Sequence, residues 1–382
     1  MLPIIETIPL RQMASGDILN LQVYKFINLK SIGDHPGKKV YIQSNLHGSE
    51  ISGNAVIYQL IEFLSNINDD NLWGEIWLVP LCNPMGVNER AQHFSPGRFC
   101  VYEGKDWNRI FWDFAKENYD LLAFAQSQLD FDLDTVRKNY LAEIKSGFLQ
   151  KSSKINSQAG LPFTEIFRYQ LQSLCLDADY VIDLHSANNQ GLDYVYYFPN
   201  REDAAKNFLL DYGILLDEYD GDAFDEAFIK PWLALESAFA SLGKNVRFDV
   251  EAWTLELGSG MQIKADSVNK GVLGIKNYLV QKGVLQIPDL IIPESKSEEM
   301  LFVSSSKRKK YCATVGGMIK SRVKLGTVVK AGDWLYEIIT FNKEGKIPRI
   351  INICAESDGL VYDLSINEAV NQGEFVLGLL EL

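Results

Sequence analysis

Residues 39–64 read KVYIQSNLHGSEISGNAVIYQLIEFL and predict a strand, a short turn and a helix in direct succession. Lys39–Leu46 is an apolar run typical of a buried strand, and in Ile51–Leu64 apolar residues recur at helical spacing. The turn between them contains His47 and Glu50. In open α/β sheets ligands bind beyond the carboxyl ends of the strands, so this turn lies where a binding site is expected.

Three further strands are predicted downstream. Glu75–Leu81 leads into an Asn-Pro turn, Tyr180–Leu184 leads directly into His185, and Val246–Leu257 contains Glu256 close to its end. Strands that alternate with helices indicate an α/β fold with parallel strand pairs. Helices are predicted in four segments: 111–150, Thr164–Cys175, 202–240 and Val268–Lys282.

The chain of 382 residues is too long for one typical core, and its character changes along its length. The first 37 residues are interpreted as edge strands of a first domain, 1–290, which carries a helical insertion at about 111–176. A proline-containing and charged segment predicts a linker at 291–308. The remainder, 309–382, has short apolar runs between glycine turns and predicts an all-β module.

Composition excludes several classes of function. The net charge of −13 disfavours nucleic acid as a partner. The five cysteines are scattered without CxxC spacing, which argues against disulfides or a cysteine zinc site and fits a reducing compartment. We find no signal peptide and no apolar run near the ~18 residues that a membrane span needs, so the expected location is cytoplasmic, with no membrane partner.

The residues at the predicted strand ends point to metal chemistry. His47 and Glu50 form a His-x-x-Glu pair on one side of a helix start, and His185 supplies a second imidazole. Two histidines and one glutamate form a recognised catalytic zinc set with an open position for water. Zinc lowers the pKa of such a water to about 7. A single histidine at a strand end is more often structural. Two such histidines together with Glu50 and Glu256 favour a site for one Zn²⁺ per chain.

Glu256 is the candidate proton carrier. It stands at a strand end between apolar residues, where partial burial raises the pKa of a carboxyl group and suits it to proton transfer. It would take a proton from water and pass it to the leaving amine. The alternative is a buried ion-pair partner. For Asp183, beside His185, both an outward orientation and a role in orienting a metal ligand stay open.

Arginines supply the candidate substrate contacts. Asn108 and Arg109 together can bind a carboxylate with several donors, although they could instead be a structural pair at a helix start. Arg98 and Arg90 lie earlier in the same long loop, and one of them could stabilise the oxyanion of a tetrahedral intermediate.

Five motifs follow one another along the chain: His47-Gly48-Ser49-Glu50, Asn83-Pro84-Met85-Gly86, Asp106-Trp107-Asn108-Arg109, Asp183-Leu184-His185 and Thr254-Leu255-Glu256-Leu257-Gly258. In this order they resemble the motifs of the succinylglutamate desuccinylase/aspartoacylase family, relatives of the zinc carboxypeptidases. The resemblance covers about 38–280, and the C-terminal module also resembles that of family members.

The resemblance implies a zinc-carboxypeptidase-like mixed sheet flanked by helices. It implies His47, Glu50 and His185 as zinc ligands and Glu256 as general base. It also implies a substrate-carboxylate clamp formed by Asn108 and Arg109. The family's oxyanion arginine lies between the Asn-Pro turn and the Asn-Arg pair, and the Gly97-Arg98-Phe99 context favours Arg98 over Arg90. The helical insertion is larger than a minimal member requires and could reshape substrate access.

The C-terminal module resembles the barrel-sandwich fold of biotinyl and lipoyl carriers. Carriers attach their cofactor to a lysine on an exposed hairpin. Lys320 precedes the Gly326–Gly332 turn, which it would have to follow, and Lys343 and Lys346 lack the flanking pattern. The module is therefore interpreted as unmodified, capping the site or mediating contacts in a homo-oligomer.

The sequence favours a zinc-dependent hydrolase, a deacylase that cleaves the amide bond of a small N-acyl amino acid or related carboxylate-bearing substrate. A carboxypeptidase-like peptidase is the main alternative, and a deep closed pocket would distinguish the deacylase from it. An ester hydrolase and a non-catalytic metal-binding scaffold are further alternatives.

Overall fold

A large mixed β-sheet with helices packed on it forms the first part of the chain, and a smaller antiparallel sheet follows at the C-terminus. The computed structural model describes residues 1–28, 37–287 and 300–382. The predicted α/β class with a C-terminal all-β module is confirmed. The first strands are β1 (Ile4–Gln12), β2 (Ile18–Ile27), β3 (Lys38–Ser44), β4 (Gly74–Val79), β5 (Tyr180–Ala187), β6 (Gln190–Gly191), β7 (Tyr194–Tyr197), β8 (Tyr212–Leu215) and β9 (Glu251–Ser259). The helices are α1 (Ser52–Asn66), α2 (Pro84–Asn88), α3 (Leu121–Ser127), α4 (Leu133–Ser152), α5 (Phe163–Cys175), α6 (Glu202–Ala205), α7 (Phe224–Ser241) and α8 (Ala265–Gln281).

The centre of the sheet has the strand order β4-β3-β5-β9, and these strands are parallel. In the ladder Ile42 lies opposite Leu78 on one side and Ile182 on the other, and all three side chains are buried. Strands covered on both faces carry near-continuous apolar runs, which is why this part of the sheet could be recognised in the sequence.

Antiparallel strands extend the sheet on both sides. β2 pairs with β4, and β1 pairs with β2 at the outer edge, as predicted for the N-terminal residues outside the undescribed segment 29–36. On the other side β7 runs antiparallel to β9, and β8 runs parallel to β7. Residues Tyr194–Tyr197 thereby lie beside the carboxyl end of β9.

Two element predictions are corrected. The strand predicted from Val246 begins only at Glu251, because its partner β5 begins at Tyr180 and the preceding Phe248 N–H donates to Glu236 of α7. The segment 202–240 is helical over most of its length, but β8 interrupts it between α6 and α7. β8 is a four-residue apolar run, too short for its spacing to distinguish strand from helix.

The insertion between β4 and β5 contains α3, α4 and α5, which pack around a cluster of aromatic side chains. Trp112 contacts Phe114 and Phe148, and Tyr140 contacts Trp232 of α7. Aromatic pairs at these distances stabilise a core beyond their buried area. No helix of residues 1–28, 37–287 or 300–382 is both long enough and apolar enough to span a membrane.

The C-terminal strands form two sheets, and one of them continues the large sheet. β6 pairs with β16, and β16 pairs with β18, which in turn pairs with β11. Of the predicted linker 291–308, residues 291–299 lie outside the described part, and β10 is a strand that pairs in parallel with β8. The strands are β10 (Leu301–Ser304), β11 (Arg308–Cys312), β12 (Gly317–Arg322), β13 (Val328–Val329), β14 (Trp334–Thr340), β15 (Arg349–Cys354), β16 (Gly359–Leu364), β17 (Ala369–Val370) and β18 (Phe375–Glu381).

Candidate active site

Three adjacent parallel strands bring the predicted metal ligands and the predicted base to one edge of the sheet. His47 follows β3, His185 lies near the end of β5, and Glu256 lies opposite His185 near the end of β9. Parallel strands present their carboxyl ends at the same edge, so residues far apart in the sequence meet there.

The HGSE turn has a fixed local geometry. Asn45 adopts a φ of 67°, and its side-chain amide donates to the carbonyls of His47, Gly48 and Glu50. A Cβ on Gly48 would overlap the carbonyl oxygen of Gly86, so a glycine is required for this close approach to the Asn-Pro turn. The Gly48 N–H also donates to Gly97 O at 2.8 Å, which fixes the loop that carries Arg98.

His47, Glu50 and His185 form a buried cluster whose ligand atoms lie within 4.8 Å of one another. His47 Nδ1 lies 2.9 Å from Glu50 Oε1, and His185 Nδ1 lies 2.7 Å from Glu50 Oε2. Among the described residues, this is the group of histidine, cysteine and acidic side chains that could hold a metal ion.

The opposite ring nitrogens are held by two aspartates. His47 Nε2 lies 3.0 Å from Asp106 Oδ1, and His185 Nε2 lies 2.9 Å from Asp183 Oδ2. Asp183 is held in turn by Gln43, whose Nε2 donates to its other oxygen at 3.0 Å. Carboxylates at this position fix the orientation of a metal-binding imidazole. Of the two alternatives for Asp183, the structure therefore shows the contact that orients His185.

The electrostatics of the cluster favour positive charge between its members. Burial alone would raise the pKa of Glu50, but the charges of His47 and His185 outweigh it and hold that pKa well below its usual range. Burial would lower the pKa of His185, but Asp183 and Glu50 raise it well above its ordinary value. A carboxylate between two imidazole nitrogens is stabilised by cationic charge there, whether it comes from protons or from a metal ion.

Glu256 is partly buried beside this cluster. Its Oε2 atom accepts no hydrogen bond from the described residues. Burial, with a further contribution from the negative charge of Glu50, raises the pKa of Glu256 to about 7. A carboxyl group with this pKa exchanges protons readily near neutral pH, as a general base requires.

The structure separates the two candidate oxyanion arginines. Arg98 Nε lies 3.0 Å from Asp106 Oδ2, and Arg98 Nη1 lies 3.7 Å from Glu50 Oε1 and 2.7 Å from the side-chain amide group of Asn188. Arg98 is thus at the cluster. Arg90 points away from it and donates to the carbonyl of Val87 within its own loop.

The predicted clamp residues lie next to the cluster. The Asn108 side-chain oxygen accepts from the N–H of Phe224 at 2.8 Å, and its nitrogen lies 3.5 Å from His185 Nε2. Arg109 is exposed and lies against Gly221. Both side chains face the same cavity as the cluster.

All seven predicted site residues line one cavity of about 740 Å³. The first domain forms most of its wall, and the C-terminal module forms the rest. Sequence reasoning did not assign a site role to several lining residues, which are Tyr194, Tyr196, Asp225, Arg308, Lys310, Tyr362 and Asp363.

These residues were missed for two different reasons. Tyr194 and Tyr196 alternate on β7 and could have been recognised as one face of a strand. Arg308 donates to the hydroxyl of Tyr196 at 2.6 Å, so the contact joins the C-terminal strands to the first part of the chain. Nothing local to the module strand predicts that contact, because it depends on how β16 joins β6.

Comparison with known proteins agrees with this architecture. The family model described as the succinylglutamate desuccinylase/aspartoacylase catalytic domain matches residues 36–139. No match to a curated protein was found. The crystal structure of a protein assigned to this family, from Shewanella amazonensis SB2B, shares 30% sequence identity with a TM-score of 0.86. That match covers 99% of this chain and 98% of the relative.

Two further structures extend the comparison. A protein assigned as succinylglutamate desuccinylase/aspartoacylase from Shewanella frigidimarina NCIMB 400 has 27% identity and a TM-score of 0.87, over 99% of this chain and 97% of that one. The Rhodobacter sphaeroides succinylglutamate desuccinylase/aspartoacylase has 15% identity and a TM-score of 0.64, over 99% of this chain and 95% of that one, and shows the fold alone. The ordered motifs and the full-length match at 30% identity lead to one conclusion: the chain belongs to the succinylglutamate desuccinylase/aspartoacylase family.

Proposed function

We propose that the protein is a zinc-dependent deacylase that hydrolyses the amide bond of a small N-acyl amino acid or a related carboxylate-bearing substrate. The observation that carries the proposal is the position of Glu256. Its Oε2 atom is buried without a hydrogen-bond partner among the described residues, and the carboxyl group lines the same cavity as His47, Glu50 and His185. Membership of a deacylase family supports amide hydrolysis as the reaction class.

The donor set fits zinc. It offers two imidazole nitrogens and one carboxylate, and the second nitrogen of each ring is already held by an aspartate. One zinc ion per chain is expected, with His47, Glu50 and His185 as its ligands. The chemistry that zinc supplies in such a set is Lewis-acid activation of water and of an acyl carbonyl.

The remaining steps fall to side chains of this chain. Glu256 accepts a proton from the attacking water and then donates it to the nitrogen of the leaving amine. Arg98 stabilises the negative charge that develops on the acyl oxygen. Asn108 and Arg109 bind the substrate carboxylate and hold the scissile amide close to Glu256.

The shape of the cavity supports a small substrate. Its volume of about 740 Å³ is within the range of ~300–1,000 Å³ that is usual for small-molecule sites. Arg308 and Tyr362 of the C-terminal module form part of its wall. A peptidase that trims the end of a long peptide needs an open groove, so this wall favours the deacylase over the peptidase alternative.

The proposal is tested first by metal content. We expect elemental analysis of the purified protein to find about one zinc per chain. The variant His185→Ala should lose it, and the control His93→Ala, which removes an exposed histidine away from the cluster, should keep it. Hydrolysis of a panel of N-acyl amino acids by the zinc-loaded protein is then measured. Absence of tightly bound zinc from the wild type, even after zinc is supplied, would refute the proposed function.

A further inference from the structure

Asp225 is a buried acidic side chain in the cavity wall that the proposed mechanism does not use. It lies at the start of α7, and only 3% of its surface is exposed. One carboxylate oxygen accepts from the Thr254 hydroxyl at 2.7 Å, and the other accepts from the N–H of Glu226 at 2.9 Å.

No cationic side chain of the described residues forms an ion pair with Asp225. The carboxylate has two neutral hydrogen-bond donors, which compensate only part of the cost of burying a charge. Two cationic side chains of the cavity wall have other partners: Arg98 pairs with Asp106, and Arg308 donates to the Tyr196 hydroxyl. A cation that enters the cavity would complete the compensation.

The contacts of Asp225 place it between the clamp and the general base. The preceding residue, Phe224, donates its N–H directly to the side chain of Asn108. Thr254, which donates to Asp225, lies two residues before Glu256 on β9, so both side chains point to the same face of the sheet.

The position of Asp225 corresponds to the amino-acid side chain of the proposed substrate. The α-carbon of an N-acyl amino acid carries the carboxylate, the scissile nitrogen and the amino-acid side chain. With the carboxylate at Asn108 and Arg109 and the amide near Glu256, the amino-acid side chain extends along the wall that contains Asp225.

We propose that Asp225 is a specificity-determining residue that binds a cationic group on the amino-acid side chain of the substrate. The preferred substrates are then N-acyl derivatives of basic amino acids. The inference rests on the proposed function, because the clamp and the base define which part of the substrate reaches Asp225.

The experiment compares substrates that differ only in this group. Zinc-loaded protein is assayed with Nα-acetyl and Nα-succinyl derivatives of L-ornithine and L-lysine, against those of L-norleucine and L-glutamate. Norleucine has an aliphatic side chain of similar length to that of lysine without the charge. We expect kcat/KM for a basic derivative to exceed that for norleucine by at least about tenfold, since a polar group left unpaired in a site causes strong discrimination.

The variant Asp225→Asn tests the residue itself. Asparagine keeps the shape, can still accept from the N–H of Glu226 and can donate to the Thr254 hydroxyl, so the fold should be retained. The basic preference should fall to within about threefold, with the norleucine rate little changed. The matched control is Asp222→Asn, three residues earlier, outside the cavity wall and paired with Lys116. Asparagine tolerates its positive φ of 56°, and this variant should keep the preference.

Binding separates this inference from the proposed function. Calorimetry of the wild type with free L-lysine, L-ornithine and L-norleucine requires no hydrolysis. If no N-acyl amino acid is hydrolysed but a basic amino acid binds and Asp225→Asn abolishes the binding, the proposed function fails while the binding of a cationic group by Asp225 stands. If hydrolysis occurs without a preference for basic substrates, or with the same preference in Asp225→Asn, then Asp225 does not bind a cationic group of the substrate. The proposed function stands in that case. A wild type that binds neither basic amino acid more tightly than norleucine, and shows no basic preference in hydrolysis, overturns the inference whatever the variant does.

Discussion

Replacement of Glu256 by glutamine tests both the role of this carboxyl group in catalysis and its effect on the stability of the protein. Glutamine has nearly the same volume but cannot accept a proton from water. In the zinc-loaded enzyme we expect Glu256→Gln to keep its zinc and to lose at least ~10²-fold in kcat, the lower end for general acid–base catalysis. Near-normal turnover in this variant would remove Glu256 from the mechanism.

The same substitution should change how stability depends on pH in zinc-free protein. Burial raises the pKa of Glu256 from an ordinary 4.5 to about 7 in the folded chain. The folded state therefore holds this proton more tightly than the unfolded state, and the stability contributed by protonation is fully present below pH 4.5. It is lost as the pH rises through 7, and the total loss is on the order of 3 kcal/mol.

Glutamine has no proton to lose, so the free energy of unfolding of Glu256→Gln should improve relative to wild type between pH 4.5 and about 8. Its unpaired amide group adds a penalty of ~1–3 kcal/mol, but this penalty does not vary with pH. Urea denaturation across this pH range, after zinc is removed with a chelator, measures the difference. The exposed control Glu143→Gln should show no such trend. A constant offset between Glu256→Gln and wild type at all pH values would refute the raised pKa.

Two further substitutions test the surroundings of the cluster. Asp106→Asn should weaken zinc binding by about 10–100-fold, because the partner of His47 Nε2 is changed. Competition with a chromophoric chelator measures the zinc affinity, and an unchanged affinity would contradict this prediction. Arg98→Ala should lower kcat by about 10²–10³ with little change in KM, whereas Arg90→Ala should retain activity. Equal losses in steady-state assays of both arginine variants would show that the oxyanion contact was assigned wrongly.

The candidate site was predictable from the sequence because its signals are local. A buried parallel strand is recognisable as an apolar run, and the polar residue that follows it lies at the sheet edge whatever the order of the strands. His47, His185 and Glu256 are all in this situation. Predicting that they meet required only that the three strands be parallel members of one sheet.

Features that depend on tertiary contacts were not predictable in the same way. β8 was assigned to a helical segment because four residues carry no distinguishing period, and its partner β10 is distant in sequence. The cavity wall formed by Arg308 and Tyr362 depends on a short pairing between β6 and β16. Asp225 lies in the first turn of a helix, where carboxylates are common, so its sequence context carries no signal of a site.

The side chain of Asp106 contacts three other parts of the candidate site. Its Oδ1 atom lies 3.0 Å from His47 Nε2 and accepts from the Asn108 N–H at 2.9 Å, while its Oδ2 atom lies 3.0 Å from Arg98 Nε. Burial opposes ionisation, but the contacts with His47 and with the Asn108 N–H outweigh it and lower the pKa of Asp106 to about 2. The carboxylate is therefore charged throughout the neutral range.

Because the Asp106 carboxylate contacts all three groups at once, a shift toward one of them would lengthen its contacts with the others. The candidate metal ligand His47, the candidate oxyanion arginine Arg98 and the candidate clamp residue Asn108 are thus held in one fixed arrangement by Asp106. Loss of its charge should weaken metal binding, transition-state stabilisation and substrate binding together. The hydrogen bond from the Gly48 N–H to Gly97 O fixes the loop next to Arg98, whose Nε atom lies 3.0 Å from Asp106 Oδ2.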